Sequence, residues 1–362
     1  MAITLPDWLL EYGYSLLDRG LVPDFVLRLT IRTLLRQRLG EIEHGSAAAN
    51  HEAKMKFIEG VKAMDTIAIE TKKANEQHYE VPTEFILTTL GPCAKYSSCL
   101  YPTGRETLAE AELAMLESYC VKAQLVDGME ILDLGCGWGS LSLFLAGKYP
   151  KSKITGLSNS NTQREYIMKT AKERGYDNLQ ILTGDVNVFD FPEGKTFDRI
   201  ISIEMFEHMK NYEALMRKVS RWLHKERGLF FTHCFVNRTT AYHFIEDDGW
   251  MAKQFFSGGT MMSFDLLTYF QSDLTLERSW YVSGTHYSKT CEHWIQTQDA
   301  HKAAGIKHLR EDAAAKGLDP DEAEKTFYRF RVFYMACSEL FRFDGGDVWG
   351  VGHYLFRPKA RE

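Results

Sequence analysis

The 362-residue chain has no C-x-x-C pair, and its seven cysteines (93, 99, 120, 136, 234, 291 and 337) are scattered. Neither a zinc site nor a disulfide framework is therefore indicated. No stretch reaches the roughly 18 uninterrupted apolar residues that a membrane span requires. The opening Met1-Ala2-Ile3-Thr4-Leu5-Pro6-Asp7 lacks the basic region and apolar core of a secretory signal, so a cytoplasmic location is the expectation. Basic residues are not in excess: the net charge of −6 argues against a general nucleic-acid role. Internal repeats and low-complexity segments are missing too. Hydrophobic residues at 44% and charged residues at 25% are ordinary globular values.

What is present is organised around Glu130-Ile131-Leu132-Asp133-Leu134-Gly135-Cys136-Gly137-Trp138-Gly139-Ser140. An apolar run ends at three alternate glycines, and a helical pattern follows from Leu141. Strand, glycine turn and helix together present backbone N–H groups and a helix N-terminus to a ligand. The spacing is G-x-G-x-G, not the G-x-G-x-x-G of dinucleotide folds, so a nucleoside other than NAD is expected.

Downstream, strands are predicted at 130–134, 154–157, 179–183, 197–203 and 228–233, with helices between them. This alternation predicts an α/β fold with a Rossmann-like, doubly wound, mostly parallel sheet. Gly135, Ser158, Asp185, Glu204 and His233 all fall at predicted strand ends, where such sheets bind ligands. Residues 1–75 read as a helical N-terminal cap and 76–234 as the nucleoside-binding core. Residues 235–342 form a helical, aromatic-rich insertion over the substrate, and 343–362 a terminal edge strand completing the sheet. The cap and the insertion are expected to roof the site. Within the cap, Arg28, Arg32 and Arg36 make a basic stripe. It reads as a solvated or ion-paired face, or alternatively as a contact for anionic lipid.

Glu204-Met205-Phe206-Glu207-His208-Met209-Lys210-Asn211-Tyr212-Glu213 and Gly258-Gly259-Thr260-Met261, taken with the glycine loop, resemble a known group. It is the cyclopropane-fatty-acid-synthase group of S-adenosylmethionine-dependent methyltransferases, and within it the coclaurine-type alkaloid N-methyltransferases. The resemblance implies a class I methyltransferase fold and S-adenosyl-L-methionine as cofactor, S-adenosyl-L-homocysteine as product, and no metal. By the resemblance, Ser98, Gly135, Gly137 and Gly139 hold the methionine part. Ser158, Asn159 and Gln163 serve the ribose, and Asp185 and Val186 the adenine. Glu207 and His208 are the implied pair that orients an amine and removes its proton, with Glu204 holding the ammonium or the cofactor. Tyr79, Cys99, His233, Phe235, Trp250, Tyr287 and Phe333 are the expected substrate pocket. An amine of lysine-like pKa, about 10.4, is mostly protonated at pH 7, so a base within reach has a clear use.

A second reading keeps the lipid chemistry of the cyclopropane synthases, since Cys99, Glu207 and His233 match their bicarbonate-binding positions. Phe235 and Phe333, however, stand where that cage has an aliphatic residue and a tyrosine. The acidic run Glu246-Asp247-Asp248 and Glu339 are expected to suit a cationic amine. A third reading is a binding protein that has kept the fold. The partners expected are a small-molecule amine and a homodimeric copy, without nucleic acid or a transmembrane segment.

Overall fold

The computed structural model describes residues 7–68, 81–244 and 258–359. Tyr79, Trp250 and the acidic run 246–248 lie outside the described residues.

The frame is a single sheet. Strands β1 (Glu130–Leu134), β2 (Lys153–Ser158), β3 (Leu179–Thr183), β4 (Arg199–Ile203) and β5 (Leu229–Asn237) run parallel in the order β3-β2-β1-β4-β5. Apolar runs such as Arg199-Ile200-Ile201-Ser202-Ile203 are buried along almost their whole length because helices cover both faces. Those helices include α6 (Ser140–Lys148), α7 (Asn161–Glu173) and α8 (Tyr212–Trp222); α5 (Leu108–Lys122) begins with a capping box between Thr107 and Glu110.

Two departures from the sequence-based expectation matter for the site. The stretch near the C-terminus, predicted as an edge strand, is β9 (Trp349–Pro358), and it is not at an edge. It lies antiparallel between β5 and β8 (Leu274–Val282), a strand within 235–342 that the alternation of residues does not announce. Strand β5, predicted to end at 233, continues to Asn237 because β9 supplies a partner along its whole length. His233 is thus inside a strand and pairs with His353 of β9. Short strands β6 (Tyr242–His243) and β7 (Thr260–Ser263) extend the sheet beyond the end of β4.

Around this frame, α1 (Asp7–Asp18), α2 (Asp24–Ile42), α3 (Ala47–Lys62) and α4 (Thr83–Leu87) precede the core. Ser46 caps α3, its side chain accepting from the Ala49 amide. Within 235–342, α9 (Gly284–Ala300), α10 (Lys302–Ala315) and α11 (Asp321–Arg342) pack with α4 around a second apolar cluster that includes Phe85, Trp294, Phe327 and Tyr334.

The arginine stripe of α2 docks onto these helices. Arg28 Nη1 lies 2.6 Å from Glu292 and 2.9 Å from Glu339, and Arg32 Nε is 2.5 Å from Glu339. Two of the three arginines therefore serve the ion-paired reading. Glu339 is correspondingly corrected. With a side chain only 1% exposed, it is saturated by arginines from this same chain and is not a substrate carboxylate. Farther along, Asp18 pairs with Arg329, and Arg331 bridges Asp24 and Asp299.

Candidate active site

The glycine turn divides its work by position. All three glycines adopt left-handed backbone: φ is 82° at Gly135, 50° at Gly137 and 78° at Gly139. A Cβ on Gly135 would meet the Met205 sulfur at 2.8 Å, and one on Gly139 would meet Ile167 at 2.5 Å. These two are required by packing as well as by φ. A Cβ on Gly137 would meet nothing within 4 Å, so Gly137 is the member that faces open space. The turn is pinned where the sheet opens, since the amides of Gly135 and Cys136 donate to the Leu157 carbonyl at the end of β2.

That space is a cavity lined by Gly135, Gly137, Trp138, Ser140, Asp133 and Glu204, and closed on its other side by Lys95, Tyr96 and Ser97. Burial pushes the Asp133 carboxyl up to about 6, although Ser142 Oγ donates to it at 2.6 Å. The Ser140 hydroxyl is buried without a hydrogen-bond partner among the described residues.

Beside the cavity, at the ends of β2 and β3, lie the residues expected to reach the rest of the nucleoside. Ser158 Oγ donates to Gln163 Oε1 at 2.7 Å, which fixes the amide and leaves Gln163 Nε2 buried without an acceptor among the described residues. An orphaned donor here suits a ribose hydroxyl. Asn159 is exposed. Asp185 accepts from the Asn187 amide, and Val186 is buried with its carbonyl taking Lys218 Nζ at 2.7 Å.

Glu204 ends β4 in a left-handed conformation, φ 49°, which costs a non-glycine residue about 1–3 kcal/mol. Its carboxylate is held on three sides: Ser98 N donates to Oε1 at 2.9 Å, Tyr287 OH donates to Oε2 at 2.6 Å, and His233 Nε2 lies 3.0 Å from Oε1. Burial raises its pKa, opposed by the nearby Lys95 ammonium. Ser98 is thus placed against Glu204, and Tyr287 reaches it from α9.

Glu207 follows on a single 3-10 turn, Phe206–His208. It is wholly buried. Oε1 accepts from the Phe235 amide at 2.6 Å, whereas Oε2 has no partner among the described residues. Burial, reinforced by the Glu204 charge, pushes its pKa well up. Glu207 does not cap the next helix; Asn211 does so. Burial lowers the pKa of His208, so its imidazole is neutral at pH 7.

The turn is clasped from the N-terminal side. Lys210 N donates to the Ile67 carbonyl, Asn211 Nδ2 reaches the Met64 carbonyl, and Ala68 bridges Met209. Lys210 Nζ also lies 3.4 Å from Thr260 Oγ1, which joins the two motifs singled out in the sequence.

The remaining expected pocket residues are dispersed around this centre. Cys99 is buried, with its thiol pushed up to about 12 by desolvation and its amide on Thr290. Phe235 is half-buried near Phe244 and Phe341, and Phe333 is buried in the helical cluster. His233 is fully enclosed among Glu204, Tyr119 and His353. Lys95, Asp133, Tyr119 and His353 escaped the sequence reading. Asp133, the acid before the glycines, carried a legible signal; the others had none.

A family model described as mycolic acid cyclopropane synthetase matches residues 68–351. An (S)-coclaurine N-methyltransferase of Thalictrum flavum subsp. glaucum is 37% identical over 95% of this chain and 94% of its own. A cyclopropane-fatty-acyl-phospholipid synthase of Escherichia coli K12 is 30% identical over 76% of this chain and 66% of its own. Among solved structures, a coclaurine N-methyltransferase bound to N-methylheliamine and SAH superposes with a TM-score of 0.90 at 33% identity, covering 96% of this chain and 99% of that one. The chain belongs to the mycolic acid cyclopropane synthetase family and is an S-adenosylmethionine-dependent methyltransferase.

Proposed function

We propose that the enzyme methylates the nitrogen of a small amine, an alkaloid or aryl-alkylamine, and that Glu207 and His208 prepare that nitrogen. The observation that carries the reading is that Oε2 of a fully buried Glu207 has no partner among the described residues. An unpaired buried carboxylate is costly, and a cationic ligand offsets that cost directly. The ammonium of an arriving amine favours the ionised form of Glu207. The neutral imidazole of His208 then takes the proton.

The chain's own groups suit each requirement of the transfer. The cofactor supplies a methyl on a sulfonium, already a strong electrophile, so the protein's task is mainly in-line positioning and a free nitrogen lone pair. Gly137 leaves room for the cofactor, while Ser140 Oγ and Gln163 Nε2 offer it polar groups that have no partner among the described residues. Similarity to the alkaloid N-methyltransferase of Thalictrum covers 95% of the chain, and that to the lipid enzyme 76%. The competing lipid reading also lacks two of its cage members, which are Phe235 and Phe333 here.

The test is turnover with S-adenosylmethionine against 1-benzyltetrahydroisoquinoline, phenethylamine and unsaturated phospholipid vesicles. Methylation of the amines supports the proposal. Methylenation of the vesicles alone, stimulated by bicarbonate, overturns it.

A further inference from the structure

Methylating an ammonium that enters protonated releases one proton per turnover. The N–H bond breaks with its pair left on nitrogen; that pair forms the N–C bond, and the C–S pair goes to sulfur. The proton must leave a site whose acidic and basic groups are buried. Among the described residues, the hydrogen bond of Glu207 ends on the Phe235 amide. Those of Glu204 do not end so near. His233 Nε2 lies 3.0 Å from Glu204 Oε1; His353 Nε2 lies 3.0 Å from His233 Nδ1; Lys122 Nζ lies 2.6 Å from His353 Nδ1. Both histidines are completely buried, whereas Lys122, near the end of α5, is partly open to solvent. Three sequence-distant segments, on α5, β5 and β9, are aligned atom to atom from the cavity to the surface.

We propose that Glu204, His233, His353 and Lys122 form a proton exit from the methylation site to solvent. The proposal rests on the N-methylation reading. His208 passes its proton to Glu204. With His233 and His353 each carrying hydrogen on Nδ1, the proton on Glu204 Oε1 moves to His233 Nε2. The His233 Nδ1 proton moves to His353 Nε2, the His353 Nδ1 proton moves to neutral Lys122, and the lysine gives one to water. Both rings are left as Nε2 tautomers, and tautomer exchange resets them. The Tyr119 hydroxyl, 2.8 Å from His233 Nδ1, is placed to assist.

The electrostatics agree with this geometry. Burial lowers the pKa of His208 and raises that of Glu204, which narrows the gap that a transfer between them must cross. Burial also brings Lys122 down to about 8, where it cycles readily between its two forms near neutral pH. The charges of Lys95 and Lys122 further hold the two enclosed imidazoles neutral. Other titratable groups facing the chain include Glu207, Tyr119, Tyr287 and Cys99, together with His286 near Lys122.

A structural role for the two histidines would predict a loss of stability and nothing else. The relay is separated from it by comparing His353→Gln and Lys122→Met with wild type in single turnovers on 1-benzyltetrahydroisoquinoline. Methyl transfer is read by product, and proton release by a pH-indicator dye. Expected is proton release that keeps pace with methyl transfer in wild type. In both variants release should lag transfer, and near pH 7 steady-state turnover should fall by roughly tenfold or more, within the usual worth of a proton-transfer group. Turnover should recover near pH 10, where the amine arrives neutral, and cofactor affinity should be unchanged. Lys122 is partly exposed, so that variant remains informative if the His353 variant misfolds. Release that still keeps pace with transfer in the Lys122 variant, or equal losses at every pH, overturns the relay while leaving N-methylation intact. A wild type that does not methylate the amine overturns both.

Discussion

Tyr287 donates its hydroxyl to Glu204 Oε2 at 2.6 Å, from a ring stacked on Phe341 at a centroid distance of 4.2 Å. A helix of the 235–342 segment thereby holds a carboxylate at the end of a core strand. Hydrogen bonds to charged groups contribute about 1.5–3 kcal/mol, and removing this donor leaves Oε2 buried and unpaired. Tyr287→Phe should therefore lower the melting temperature measurably and shift the rising limb of the pH–rate profile to higher pH. An unchanged thermal midpoint would show that the bond is not formed in solution.

Gly137 combines a φ of 50° with open space ahead of it. Gly137→Val should abolish binding of S-adenosylmethionine in calorimetry, because a β-branched side chain resists that φ and projects where the ligand approaches. Undiminished affinity would remove the glycine turn from the cofactor site.

Glu207→Gln and His208→Ala should each lower kcat on an amine by ~10²–10⁴-fold, the range typical of general-base catalysis, with little effect on cofactor affinity. The pair acts as a unit, so the double variant should lose far less than the product of the two. Wild-type activity should rise with pH as amine and base deprotonate. The variants' residual rates should recover at alkaline pH. Equal impairment across the pH range would reduce both side chains to geometric roles.

The clamp between α2 and Glu339 has a pH sign. Arg32 and Arg28 hold the Glu339 carboxyl below its ordinary value of 4.5 despite burial. The stabilisation is present above that value and is lost as pH falls through the depressed folded value. Circular dichroism and limited proteolysis should therefore register loosening of the N-terminal helices only in acid below about pH 4. Arg28→Ala with Arg32→Ala leaves the buried Glu339 carboxylate with only the more distant Arg342, 3.8 Å away, as a cationic partner among the described residues. It should cost about 3–5 kcal/mol in chemical denaturation. Full stability in that double variant would mean that water can reach Glu339.

Legibility in the sequence followed the range of the interaction. Strands β1 to β4 are local patterns of apolar runs closed by glycines and polar turns, and they were readable to within a residue or two. Strand β8 was not: its sequence, Leu274-Thr275-Leu276-Glu277-Arg278-Ser279-Trp280-Tyr281-Val282, alternates only loosely, and its strand character comes from pairing with β9. The same limit governs the site. The glycine turn and the Glu204–Glu213 motif advertise themselves, but the contact of His233 with His353 joins positions 120 residues apart. The role of Glu339 was misread because a sequence displays a charge without its partner. The strained φ of Glu204 has no counterpart in composition at all.

The position of β9 sets an order on how the enzyme comes into being. Ribosomal synthesis delivers β5 and β8 well before Trp349, and until β9 arrives both strands present open edges to whatever is nearby. The same strand carries His353, so the route from Glu204 to Lys122 is missing for as long as the sheet is unfinished. A chain halted before residue 349 would be both adhesive and incapable of passing on a proton. Completion of the fold and completion of the catalyst thus fall in one step.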